Sequence, residues 1–149
     1  MEQYKATPYN GSEPYICICY SQRDLESAKM IIDALHSKGY RIWWDDGVKV
    51  GKRWVDRILE RISNSEVCIL LLSEKFEHSE ACMNELDFIV IRGKPIIPIC
   101  LNDYDPNISI GLRIGIVQTM RMHDNTISPD FLDALTSISS ISKCMVPTP

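Results

Sequence analysis

The run EVCILLLS, residues 66–73, is apolar from Val67 through Leu72, with no polar alternation. A strand with one wet face alternates; a strand covered on both faces does not. This run therefore predicts the central strand of a parallel sheet with helices on both sides. Shorter strand-like runs are PYICICY (14–20), RIWW (41–44) and KPIIPICL (94–101), and a last strand is expected around the more polar QTMRM (118–122). The prolines of KPIIPICL predict a less central strand, because proline removes a ladder donor.

Between these runs the apolar period lengthens. Leu25, Ala28, Ile31, Ile32 and Leu35 recur at helical spacing, with Gly39 as a stop. WVDRILERISNS (54–65) carries Trp54, Ile58 and Ile62 on one stripe, and residues 79–92 form a further helix. SPDFLDALTSIS follows with Ser128 as N-cap and Pro129 at the first position. Residues 102–117 read as irregular. Strands alternating with helices imply an α/β fold, a doubly wound five-stranded parallel sheet in flavodoxin-like order 2-1-3-4-5. The expected organisation is a flexible lead-in at 1–13, a single domain at 14–142 and a fraying tail at 143–149.

Composition narrows the function. The net charge of −4, with dispersed basic residues, argues against wrapping nucleic acid. No apolar run is long enough for a membrane span, and the opening stretch has no signal-peptide core, so a cytoplasmic protein without membrane contact is expected. The six cysteines mostly fall in strand-like runs and read as small buried hydrophobes in a reducing compartment. No C-x-x-C occurs, and His36, His78 and His123 lack metal-ligand spacing, so no metal is expected.

In a 2-1-3-4-5 sheet, ligands bind beyond the carboxyl ends of strands one and three. SQRDLES, after strand one, has no glycine for a flavin phosphate. Ser73 stands where a phospho-receiver domain needs an aspartate, and no Rossmann or P-loop fingerprint is present. Glu85 is the unusual residue. Its neighbours at helical spacing, Ala81, Cys82, Phe88 and Ile89, include no cation, although Asp87 also has mostly apolar neighbours, so periodicity alone does not select between them.

Four segments in fixed order then carry a resemblance: YICICYSQRD, WWDDGVKVGKRW, CILLLSEKFEHSEACMNEL and GKPIIPICL. Together they resemble a Toll/interleukin receptor (TIR) domain of the bacterial NAD-cleaving type, over about residues 13–140. The second segment is similar to the family's BB loop, with Asp45, Gly51 and a Trp three residues after that glycine. The third is similar to its S-x-x-[YF]…S-x-x-C-x-x-E-[LW] signature. The chain departs from the pattern at Val50, where proline is usual, and at Ala81, where many NAD-cleaving members have Trp.

The resemblance implies NAD⁺ glycohydrolase or cyclase activity, with Glu85 as the catalytic carboxylate. NAD⁺ enters as substrate, and no cofactor is implied. Ser21, Gln22 and Arg23 follow strand one, and Arg23 suits a pyrophosphate. Asp45 either contacts ligand or orders its loop. Gly51 and Lys52 belong to a basic loop that either meets phosphates or is merely solvated. Ser73 and Cys82 hold motif positions, Cys82 reading as a packing residue rather than a nucleophile. Trp44, Trp54 or Phe76 takes over stacking in place of the missing aromatic. Trp43 and Trp44 point to opposite faces of their strand, one of them into the core.

The implied partners are other TIR protomers, with a site shared between protomers of a homo-oligomer, and a downstream effector reached through a nucleotide product in anti-phage signalling. The alternatives are a non-enzymatic TIR adaptor and, less well matched by the BB-loop pattern, a nucleoside deoxyribosyltransferase.

Overall fold

The computed structural model describes residues 6–46, 54–115 and 117–147. The expectations placed on Gly51 and Lys52 lie outside them. The described elements are β1 (Ile16–Cys19), a 3-10 turn (Gln22–Asp24), α1 (Leu25–Ser37), β2 (Ile42–Trp44) and α2 (Trp54–Ser63). They continue with β3 (Val67–Leu72), α3 (Glu74–Glu77), α4 (Glu80–Ile91), β4 (Ile96–Leu101), α5 (Ile108–Ile114), β5 (Met120–Met122), α6 (Pro129–Thr136) and α7 (Ser139–Ser142). The sheet runs β2-β1-β3-β4-β5, all parallel, as the alternation of strands and helices predicts.

Strand alternation sorts the core into two layers. Ile16 and Ile18 of β1, with Val67, Ile69 and Leu71 of β3, face α1 and α6 through Ile31, Leu35 and Leu135. Cys17, Cys19, Cys68, Leu70 and Leu72 point the other way, onto Ile58 and Ile62 of α2, Leu86 and Ile89 of α4, and Ile110 of α5. Every residue of β3 is buried, which is why its sequence shows no alternation. Gly39 closes α1 at φ +90°, a backbone region that disfavours side chains.

Strand β4 is less central than β3, as its prolines predict, and pairs with both β3 and the edge strand β5. Its Pro98 is accommodated because β5 covers only Ile99–Leu101, leaving Pro98 paired on the β3 side alone. The stretch read as irregular contains α5, whose start Asn107 caps by accepting a hydrogen bond from the Ile110 amide.

Within the described part of the lead-in, residues 9–11 are held rather than loose. The Tyr9 amide donates to the Ile42 carbonyl at 2.8 Å, and the buried Arg61 guanidinium donates to the Tyr9 and Gly11 carbonyls while stacking over Tyr15. The start of the tail is likewise held. The Arg41 amide donates to the Cys144 carbonyl, and the Val146 amide to Gly39. The six cysteines are buried free thiols, consistent with their expected packing role.

Candidate functional site

Glu85 lies on α4, on the layer that α2 and α4 share, and its side chain is half-buried. Burial pushes its carboxyl up to about 7, and the nearby Asp45 carboxylate pushes in the same direction. Its own charge raises the thiols of Cys19 and Cys82 and the phenol of Tyr20. Glu85 is therefore within electrostatic reach of the carboxyl end of β1 and of the residue that follows β2, and it sits one turn below Cys82 on α4. The helix that carries it starts at Ser79, whose hydroxyl accepts from the Cys82 amide at 3.2 Å.

Asp87, which the helical pattern could not separate from Glu85, is separated by tertiary structure. Arg113 of α5 donates through Nε to Asp87 Oδ1 at 2.5 Å. Glu85 has an acidic neighbour where Asp87 has a basic one.

Asp45 is fixed from two sides. Its backbone carbonyl accepts from the Tyr20 hydroxyl at 2.8 Å and from Gln22 Nε2 at 3.1 Å. Its carboxylate accepts from the Trp54 indole at 3.4 Å. The connection after β2 is thus tied to the one after β1, and Gln22 does part of the tying. A small cavity of about 180 Å³ opens between Trp44, Asp45, Asp46, Trp54 and Arg57.

The connections after β1 and β3 are tied through Asp24. Its buried carboxylate accepts from the Ser73 hydroxyl at 2.5 Å and lies 3.7 Å from Lys75 Nζ. The Ser73 oxygen in turn accepts from the Phe76 amide, capping α3. Ser21 caps the 3-10 turn by accepting from the Arg23 amide. Ser21, Gln22 and Arg23 all line a cavity of about 600 Å³ between the two connections.

Trp44 packs in the α1 layer, on the face of the sheet opposite α4, because neighbouring strand residues alternate, and it also lines the small cavity beside Asp45 and Trp54. Phe76 is 0% exposed and forms part of the core. Cys82 is also buried and its thiol is pushed up to about 12 by burial, so it is a neutral packing group beside Glu85. Trp54, half-buried, is the aromatic whose indole is bonded to Asp45. Its place three residues after Gly51 was the one sequence signal for it. Lys75 and Asp24 had no such signal, because their pairing joins loops 49 residues or more apart in the chain.

Among the described residues no helix is long and apolar enough to cross a membrane, and no cluster suited to a metal ion occurs.

The fold is similar to that of the TIR domain of the Toll-related receptor TRR-2 from Hydra magnipapillata, with a TM-score of 0.68, 20% identity, and coverage of 82% of this chain and 94% of that one. It is also similar to the CMP N-glycosidase BcmB of Clostridium botulinum, with a TM-score of 0.55, 13% identity, and coverage of 83% of this chain and 99% of that one. In sequence, the chain is 31% identical over 87 residues to the NAD(+) hydrolase TcpA of Theionarchaea archaeon (strain DG-70-1). That match covers 55% of this chain, and the chain spans only 26% of that relative's length. The model of the TIR domain matches residues 16–136, and the chain belongs to the TIR-domain family.

Proposed function

We propose that this TIR domain cleaves the nicotinamide–ribose bond of NAD⁺, giving nicotinamide and ADP-ribose or a cyclic isomer, with Glu85 as the catalytic carboxylate. The observation that carries the reading is the setting of Glu85. It is a half-buried acid with no cation paired to it among the described residues, within electrostatic reach of a second carboxylate and of the carboxyl end of β1. The partial sequence relation to an NAD(+) hydrolase supports it.

The chemistry needs only one such group. The nicotinamide of NAD⁺ is a cationic pyridinium and departs neutral, so no general acid is required, unlike an ordinary glycoside. As the bond breaks, positive charge develops on the ribose. A carboxylate about 4 Å away, at an effective dielectric of about 20, contributes on the order of 4 kcal/mol. Expressed only in the transition state, that is roughly a thousandfold in rate. Asp45, held by Tyr20, Gln22 and Trp54, keeps a second negative charge nearby. Trp54 supplies the aromatic face that Ala81 lacks.

NAD⁺ enters this reading as substrate and no cofactor takes part. A second TIR protomer completes the site. In a bacterial cytoplasm the activity serves anti-phage defence, by depleting NAD⁺ or by passing a nucleotide product to an effector.

The test is nicotinamide release from NAD⁺ by purified protein over a range of protein concentrations. Release is expected, with specific activity rising with concentration, and Glu85→Gln is expected to reduce it at least a hundredfold without unfolding the protein. Full activity in that variant overturns the assignment of Glu85. No release at any concentration leaves an adaptor that acts by TIR–TIR association.

A further inference from the structure

Two cavities meet at the carboxyl end of the sheet, and they differ in charge. The larger, about 820 Å³, is lined by six carboxylates, Asp24, Glu26, Glu74, Glu77, Asp103 and Asp105. The smaller, about 600 Å³, lies between the connections after β1 and β3 and has Glu74 as its single acid among the described residues. Arg23, Glu74 and Lys75 line both and form the wall between them, two cations to one acid. His78 adds a third nitrogen-bearing side chain to the smaller one, its Nδ1–H donating to the Glu74 carbonyl at 2.9 Å.

A dinucleotide carries two phosphate charges that must go somewhere. The acidic cavity repels them. The smaller cavity offers two cations, a histidine, and the polar side chains of Ser21, Gln22 and Ser79. Ser79, which lines it, also caps the helix that carries Glu85, six residues further on and about 9 Å along the axis. A substrate whose ribose meets Glu85 can therefore lay its diphosphate here.

We infer that Lys75, together with Arg23, binds the diphosphate of the substrate in this cavity. The inference rests on the NAD⁺-cleaving reading for its choice of ligand. Lys75 is suited to the part. Its side chain is 54% exposed, and its contact with the buried Asp24 is a loose 3.7 Å ion pair rather than a closed hydrogen bond. Asp24 keeps the Ser73 hydroxyl as a partner if Lys75 turns to a phosphate. An ammonium on a flexible stem moves between two anions at little cost.

The experiment is calorimetric titration of the protein with ADP-ribose and with adenosine, alongside NAD⁺ kinetics. Lys75→Gln is expected to weaken ADP-ribose binding about tenfold and to raise KM for NAD⁺ by a similar factor, with kcat changing less than twofold. Lys75→Arg is expected to restore most of the affinity, and adenosine is expected to bind both forms alike. Equal ADP-ribose affinity in wild type and Lys75→Gln overturns the inference, as does a loss that adenosine shares in full. The two readings fail separately. Nicotinamide release that ignores Lys75 sinks only the subsite. ADP-ribose binding that depends on Lys75, in a protein that releases no nicotinamide, sinks only the glycohydrolase.

Discussion

Asp45 and Glu85 place two carboxylates within electrostatic reach of each other, and the charge on Asp45, after burial, helps hold the Glu85 carboxyl up to about 7. Only the ionised form of Glu85 steadies a developing ribose cation, so nicotinamide release should rise with pH through about 7 and fall up to tenfold per pH unit well below it. Asp45→Asn removes the repulsion and leaves the burial. The midpoint of the profile should move to lower pH while staying above 4.5, the ordinary value for glutamate. The check is the pH dependence of kcat/KM for both proteins; an unmoved midpoint means that Asp45 does not tune Glu85.

The same pair makes stability depend on pH. An acid whose folded pKa stands above its unfolded value holds its proton more tightly when folded. Its contribution is most favourable below about 4.5 and is lost as pH rises to about 7, by about 3 kcal/mol at most. Glu85→Gln removes the ionisation, so the variant should be more stable than wild type at pH 8, by about 1–3 kcal/mol, with little difference at pH 4.5. Urea denaturation at the two pH values measures this. A variant less stable at pH 8 would show that Glu85 contributes a native contact outweighing its burial.

Asp24 and Ser73 join the first and third connections through a buried, charge-assisted hydrogen bond. Ser73→Ala removes the donor, leaves the carboxylate buried with only distant Lys75, and uncaps α3. The expected loss is about 2–3 kcal/mol by chemical denaturation. Ser73→Thr keeps the hydroxyl and should recover at least half of it. No recovery would assign the loss to packing instead.

Arg61 latches residues 9–11 to the body of the domain from a buried position. In Arg61→Met the Tyr9 and Gly11 carbonyls lose their donors while the apolar packing over Tyr15 is largely kept. Hydrogen exchange at the Tyr9 amide, which donates to Ile42, should become at least tenfold faster, while amides of β3 stay protected. Unchanged exchange at Tyr9 would show that the latch is redundant.

The sequence by itself determined the sheet. Strand-like runs, with the central one apolar throughout and lacking alternation, require a sheet covered on both faces, and helical spacing between them requires the crossovers. It also determined local caps such as Ser128, which accepts from the Phe131 amide within one turn. Even the segments that carry the family resemblance are local strings. Only the tertiary structure decided which of two similar acids on α4 is unusual: Arg113, 26 residues along the chain, neutralises Asp87, while Asp45, 40 residues away, opposes Glu85. It moved Trp44 to the far face and Phe76 into the core, and brought Trp54 to Asp45. It revealed that Arg23 and Lys75 share a wall, and that Arg61 holds down a segment expected to be loose. The physical reason is one of range. Periodicity and capping act within a few residues and leave their mark on the order of side chains. Charge pairing and desolvation depend on which distant segments the sheet brings within a few ångströms.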